Sequence, residues 1–106
     1  MTWFCVYAIV RATASLPSDH RGIHDEPLSI VGVHEVAAVV GERSDREIAM
    51  NTKLVLAHHQ LVSAISEAMT ALPVRFGTVV QSRDQLQNAL RERHDVLRDD
   101  LERLAG

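Results

Sequence analysis

Apolar residues crowd into a handful of stretches of this chain, and the period at which they recur changes from one stretch to the next. Trp3 to Ala12 is rich in aromatic and β-branched residues and predicts a strand. Strict alternation would set Trp3, Cys5, Tyr7 and Ile9 on one side and Phe4, Val6, Ala8 and Val10 on the other. Both sides are apolar, which predicts a strand interior to its sheet and covered above and below. Leu28 to Val33 and Val36 to Val40, parted by His34-Glu35 and punctuated by Gly32 and Gly41, predict a hairpin with His34 at its tip. Between the first strand and the hairpin, Thr13 to Pro27 holds Pro17, Gly22 and Pro27 among Ser, Asp and His. Proline and glycine there rule out a continuous helix and predict a surface connection, the most mobile part of the chain.

The period then becomes helical. Ser44-Asp45-Arg46-Glu47 has the spacing of a capping box. The stripe that follows is Leu54, Leu61, Ile65, Ala68 and Leu72, flanked by Val55, Val62 and Met69, and Pro73 is expected to end it. Pro73 to Val80 reads as the central strand, with Val74, Phe76, Thr78 and Val80 on one face and Pro73, Arg75, Gly77 and Val79 on the other. Ser82 and Gln85 repeat the capping box, and Leu86, Ala89, Leu90, Leu97, Leu101 and Leu104 form the stripe of a last helix running to the end of the chain. Its other face is charged, and Arg91 to Asp95 and Asp99 to Arg103 stand four apart for surface ion pairs. A charge run of this kind reads as a solvated helix face.

The expected order is β-β-β-α-β-α: an α+β two-layer sandwich with a mixed four-stranded sheet and two helices on one face. Two helices shield one side of a sheet, yet the first strand and the hairpin are apolar on both. The outer side, carrying Trp3, Cys5 and Tyr7 with Arg75 and the bare Gly77, is therefore expected to meet a partner protein, a further domain or a second copy.

Composition narrows the classes. With 106 residues the chain is one domain; 46% of them are apolar and 24% charged, as in a folded soluble protein. Eleven basic against fourteen acidic residues leave a formal charge of -3, without the basic footprint that nucleic acid selects. A single cysteine, Cys5, forms no internal disulfide and points to a reducing compartment. Met1 to Val10 is too short to span a bilayer and has no cleavage pattern after it, so a cytoplasmic location is expected.

Candidate chemistry is sparse. His20 and His24 are four apart, but Gly22 and Pro17 oppose the helical turn that would align them, and His58 and His59 project roughly 100° apart on a helix. Neither set is completed by Glu or Cys at ligand spacing, so no metal or other cofactor is expected. Cys5 has no basic neighbour in sequence to make a thiolate, and Ser63, Ser66 and Glu67 form no nucleophile, base and orienter set. His58 falls on the apolar stripe. It is either a core-edge histidine bonded to a backbone carbonyl or an anchor for the strand bearing Arg75. Arg75 either pairs with Glu35 or Glu42 or serves as a recognition residue beside Gly77; Phe76 is then core.

The Val6-Tyr7-Ala8-Ile9-Val10 strand, the Gly22…Pro27-Leu28…Val36-Ala37-Ala38-Val39-Val40 run, Ala57-His58-His59-Gln60-Leu61-Val62 and Leu72-Pro73-Val74-Arg75-Phe76-Gly77-Thr78-Val79 occur together in one order. In that conjunction the chain resembles the gas vesicle protein GvpL/GvpF family, the Leu-Pro-x-Arg-Phe-Gly-Thr segment being its most specific part. Ala8 departs from the family, whose first strand usually reads Tyr-Val-Tyr-Gly. His58, Pro73 and Phe76 match its motif positions. Family members continue into a second domain, so the resemblance implies that residues 1–106 correspond to the amino-terminal domain, with the carboxy-terminal domain absent. It further implies a non-enzymatic accessory protein of gas vesicle formation that binds the hydrophobic shell protein and other vesicle proteins, cytoplasmic and associated with gas vesicles. The alternative is a self-associating module, a homodimer closed through the same sheet face, with no vesicle role.

Overall fold

A computed structural model describes residues 2–16, 19–44 and 51–105. Strands β1 (Trp3–Arg11), β2 (Leu28–Val33) and β3 (Val36–Arg43) are followed by helix α1 (Thr52–Ala68), the short strands β4 (Ala71–Pro73) and β5 (Val79–Val80), and helices α2 (Arg83–Glu92) and α3 (His94–Ala105). The sheet order is β2-β3-β1-β4, with β5 also on β1. Every pairing is antiparallel. The α+β class and the interior position of β1 are as the pattern predicts; among the described residues the parallel pairing implied by a mixed sheet is not found. β3 and β4 do run in the same direction around α1, but β1 lies between them and pairs with both.

His34 and Glu35 turn the β2–β3 hairpin, His34 in the left-handed region at φ 53°. The strand expected over Pro73–Val80 is split instead. Its two halves both pair with β1, and between them Arg75-Phe76-Gly77-Thr78 makes a turn in which the Arg75 carbonyl accepts from the Thr78 amide at 3.3 Å and hydroxyl at 2.8 Å. Gly77 has φ +86°, the positive value that the third residue of a type II turn requires and glycine adopts without strain. β-Propensity alone cannot see that a glycine inside an apolar run is a corner.

Helix boundaries move for local reasons. The capping box expected at Ser44–Glu47 lies, beyond Ser44, outside the described residues. Among those described, α1 starts after Asn51, whose side chain accepts from the Leu54 amide at 2.9 Å. It ends at Ala68, four residues before Leu72, because Met69 turns extended and the chain enters β4 directly. Leu72, expected on the helix, is thus a strand residue. The second cap is found as expected: Ser82 accepts from the Gln85 amide at 3.1 Å, and the Gln85 side chain reaches back to the Gln81 amide at 2.7 Å. The single last helix is instead two, broken at Arg93. The break lets α2 lie on β2 while α3 crosses β1 and β4, a path that one straight helix would not follow over a twisted sheet.

The larger correction concerns the layers. Phe4, Val6, Ile9, Val31, Val33, Val36, Ala38 and Val40 pack with Leu86, Leu90 and Leu101, so α2 and α3 close one face. Cys5, Tyr7, Ala8, Val10, Ala37 and Val39 pack with Leu61 and Ile65 of α1, with Ala14, Leu16 and Ile23 of the long connection beside them. The helices divide between the two faces, and the side expected to be open is covered. Alternation along β1 also breaks once. Val6 pairs with Val40 but Ala8 with Val39, so Tyr7 is the extra residue of a β-bulge. Tyr7 and Ala8 therefore share a face, and Ile9 changes sides to join Phe4 and Val6.

Candidate functional site

The bulge decides what Tyr7 does. Its ring is fully buried, and a buried phenol needs a partner for its hydroxyl. Tyr7 Oη donates to Glu26 Oε2 at 2.7 Å and accepts the Ile23 amide at 3.1 Å. The other oxygen, Glu26 Oε1, accepts the His24 amide at 3.0 Å. Room for the carboxylate comes from two glycines. A Cβ on Gly22 would fall 2.0 Å, and one on Gly41 2.1 Å, from a Glu26 oxygen. The Tyr7 hydroxyl titrates well above its ordinary range, first through burial, then through its thiol and carboxylate neighbours. Burial also pushes the Cys5 thiol up, against the lowering effect of the neighbouring Tyr7 hydroxyl. A thiol held protonated in this way is an inert core residue.

A second cluster forms around His58, which is buried on α1. Its Nε2 lies 2.9 Å from the Val74 carbonyl oxygen, to which it donates. The ring is bracketed by Tyr7 and, edge-on, by Phe76, with centroids 5.7 and 5.5 Å away. The Val74 amide in turn donates to the Tyr7 carbonyl at 3.0 Å. Both readings of His58 thus coincide, since the carbonyl it holds belongs to the segment leading into Arg75. Phe76 is half-buried on the histidine rather than part of the deep core, and Pro73 closes β4 opposite Ala8.

The predicted contact residues are not brought together. Cys5 and Tyr7 are 1% and 0% exposed, so the chain itself occupies the surface proposed for them. Trp3 is half-buried at the start of β1, opposite Arg43. Arg75 and Gly77 are exposed on the β4–β5 turn. Among the described residues no carboxylate comes within ion-pair distance of Arg75. The expected partner Glu35 instead faces His94 at 3.3 Å and Arg98 at 3.8 Å, tying the hairpin tip to α3. Ion pairs on the last helices form at other spacings than four: Arg98 with Asp95 and Asp99, and Arg103 with Asp100. Leu104, expected in the buried stripe, is exposed.

Sequence reasoning missed Glu26 and its glycine slot. One signal was present, because a tyrosine within an all-apolar strand calls for a polar partner from elsewhere in the chain. A second omission is the outer side of α1, where Val55 and Leu56 are 40% and 52% exposed beside Thr52 and His59. Among the described residues, no group of three His, Cys, Asp or Glu side chains is placed to hold a metal ion, and no helix is long and apolar enough to cross a membrane.

These features define an antiparallel α+β domain with helices on both sheet faces, an arginine exposed on the β4–β5 turn and a charge-poor outer side on α1. The chain belongs to the family described as gas vesicle synthesis protein GvpL/GvpF, whose sequence model matches residues 4–106. Two solved structures share the fold. Gas vesicle protein GvpF from Microcystis aeruginosa superposes with a TM-score of 0.85 at 17% identity, over 98% of this chain and 44% of that one. GvpF from Anabaena sp. PCC7120 gives 0.86 at 17% identity, over 100% of this chain and 46% of that one. The chain thus spans less than half the length of these relatives. No curated protein sequence matches it.

Proposed function

We propose that this chain is a non-enzymatic accessory factor of gas vesicle formation, corresponding to the amino-terminal domain of its longer relatives. It binds the hydrophobic shell protein and other vesicle proteins in the cytoplasm during assembly. The observation that carries this reading is family membership over nearly the whole chain. The surface that supports it is the Arg75-Phe76-Gly77 turn, where an exposed guanidinium without a carboxylate partner among the described residues projects from a corner braced by His58. Burial of Cys5 and Tyr7 removes them from the contact surface of the closed domain.

Exposed Val55 and Leu56 favour a second reading, self-association through the outer side of α1. Co-purification with shell protein, run beside light scattering, separates the two. Arg75→Glu is expected to lose the shell protein without changing the mass in solution, and Leu56→Asp to leave shell binding intact while abolishing any dimer. Equal shell retention by wild type and Arg75→Glu removes the turn from the binding surface.

A further inference from the structure

Residues 19–27 cross the Cys5 and Tyr7 side of the sheet without forming a regular element. Their backbone is closed on itself by a single bridge between Arg21 and Pro27 and by two turn bonds, Gly22 amide to Glu26 carbonyl at 2.8 Å and Asp25 amide to Gly22 carbonyl at 2.9 Å. Ile23, half-buried, is the apolar side chain that this strap contributes to the cluster below. What fastens it is polar: the Glu26 carboxylate on Tyr7 Oη, and the Ile23 amide on the same oxygen. Beneath it lie Tyr7 and Cys5, the latter paired with Gly41, against which the Glu26 carboxylate sits; both are almost completely buried.

A carboxylate is a poor seal for an apolar surface, because burying it costs free energy that an aliphatic side chain would gain. Here the chain keeps two positions, Gly22 and Gly41, bare so that the carboxylate fits. Segments with few buried apolar contacts and solvent-exposed backbone hydrogen bonds are those that open below the global unfolding free energy. The strap has both properties, whereas α2 and α3 grip the other face with Leu86, Leu90 and Leu101.

We propose that residues 19–27 form a latched strap, which lifts as one unit when Glu26 leaves Tyr7 and uncovers an apolar sheet face while the sheet and helices stay folded. The inference goes beyond the vesicle reading and does not depend on it.

The chain carries its own reporter, since Cys5 is its single cysteine and lies under the strap. The intact protein is treated with a thiol-reactive disulfide reagent at rising urea below the unfolding transition, and amide exchange at Ile23 and His24 is followed in parallel. In wild type, Cys5 labelling is expected to depend on urea far less steeply than global unfolding followed by Trp3 fluorescence. Tyr7→Phe and Glu26→Ala are each expected to raise labelling in the absence of urea about tenfold or more, the scale of one lost buried hydrogen bond. Gly22→Ala acts in the same direction, since its Cβ displaces the carboxylate. The amides of Leu86, Leu90 and Leu97 exchange with the full urea slope of global unfolding in wild type and in every variant. Two results overturn the proposal: wild-type labelling with the full urea slope of unfolding, or labelling in Tyr7→Phe and Glu26→Ala that stays at the wild-type rate in the absence of urea.

Discussion

Beneath α2 and α3, Phe4, Val6, Ile9 and Val40 meet Leu86, Leu90 and Leu101; on the reverse of the same strands, Cys5, Tyr7 and Val39 meet Leu61 and Ile65 of α1 beside an irregular strap fastened by a carboxylate. The outer sides differ as well. α2 and α3 present Arg83, Asp84, Arg91, Glu92, Asp95, Asp99, Glu102 and Arg103 to solvent, whereas the exposed side of α1 carries Lys53 and Glu67 among Thr52, Val55, Leu56, Ser63 and Ser66. Charge is depleted where protein interfaces form. A strand apolar on both sides therefore announces that both are covered, but the quality of each cover is set by distant parts of the chain.

The largest effects come from emptying the two cores. Ile65→Ala and Leu101→Ala, both almost fully buried, are each expected to lower the unfolding free energy by about 2–5 kcal/mol in urea titration. A loss below about 1 kcal/mol for Ile65 alone would reduce α1 to a peripheral element and break the symmetry of the two cores. Next in size is Tyr7→Phe, which strands the Ile23 amide and the Glu26 carboxylate and should cost roughly 1–3 kcal/mol. His58→Phe should fall in the same range, about 1–3 kcal/mol, because it leaves the Val74 carbonyl without its donor. Helix caps on opposite faces come third: Asn51→Ala and Ser82→Ala are each expected to cost about 1 kcal/mol by thermal unfolding, and a clear inequality would show which helix depends more on its start.

The smallest effects are in pH, and they separate the faces by sign. Cys5 and Tyr7 both have folded-state values raised above their ordinary ones. Their contribution is therefore complete below the unfolded values of about 8.5 and 10 and is lost as pH climbs above them, because only the unfolded chain ionises. On the other face, a hydrogen bond from His94 and then the Arg98 charge hold Asp95 below the carboxylate range. That contribution is present above about pH 4 and disappears as pH falls through the lowered value. Urea midpoints measured across pH should fall less on the alkaline side in Tyr7→Phe, and slightly less on the acid side in Asp95→Asn. An alkaline slope unchanged in Tyr7→Phe would detach the phenol from the effect.

Much of the frame is legible in residue pattern because it is periodic. β1 is marked by its run of aromatic and β-branched residues, and the hairpin with His34 at its tip and the Ser82 cap rest on contacts between near neighbours in sequence. The site is less legible. Tyr7 as a bulge reverses the facing of Ala8, Ile9 and Val10, and nothing in their apolar identity marks where alternation slips. Gly77 as a corner splits a run that reads as one strand, and Arg93 as a break splits one helix into two, since either residue would also be tolerated in the unbroken element. Arg75 is expected to pair with Glu35 or Glu42, but among the described residues it pairs with neither, and the Glu35 carboxylate is taken by His94 and Arg98 across a distance in sequence that no spacing rule covers.

By itself the sequence determined the class of fold, the both-sided burial of β1 and, through the Leu72-Pro73-Val74-Arg75-Phe76-Gly77-Thr78 segment, the family. Those follow from local periodicity and from a motif. Only the tertiary structure decided that α1 stands opposite α2 and α3, that Glu26 fills the space left by Gly22 and Gly41, and that Tyr7 faces inward. Side-chain period says which residues must leave water, whereas which remote segment covers them depends on shape and hydrogen-bond complementarity between parts that meet only after folding.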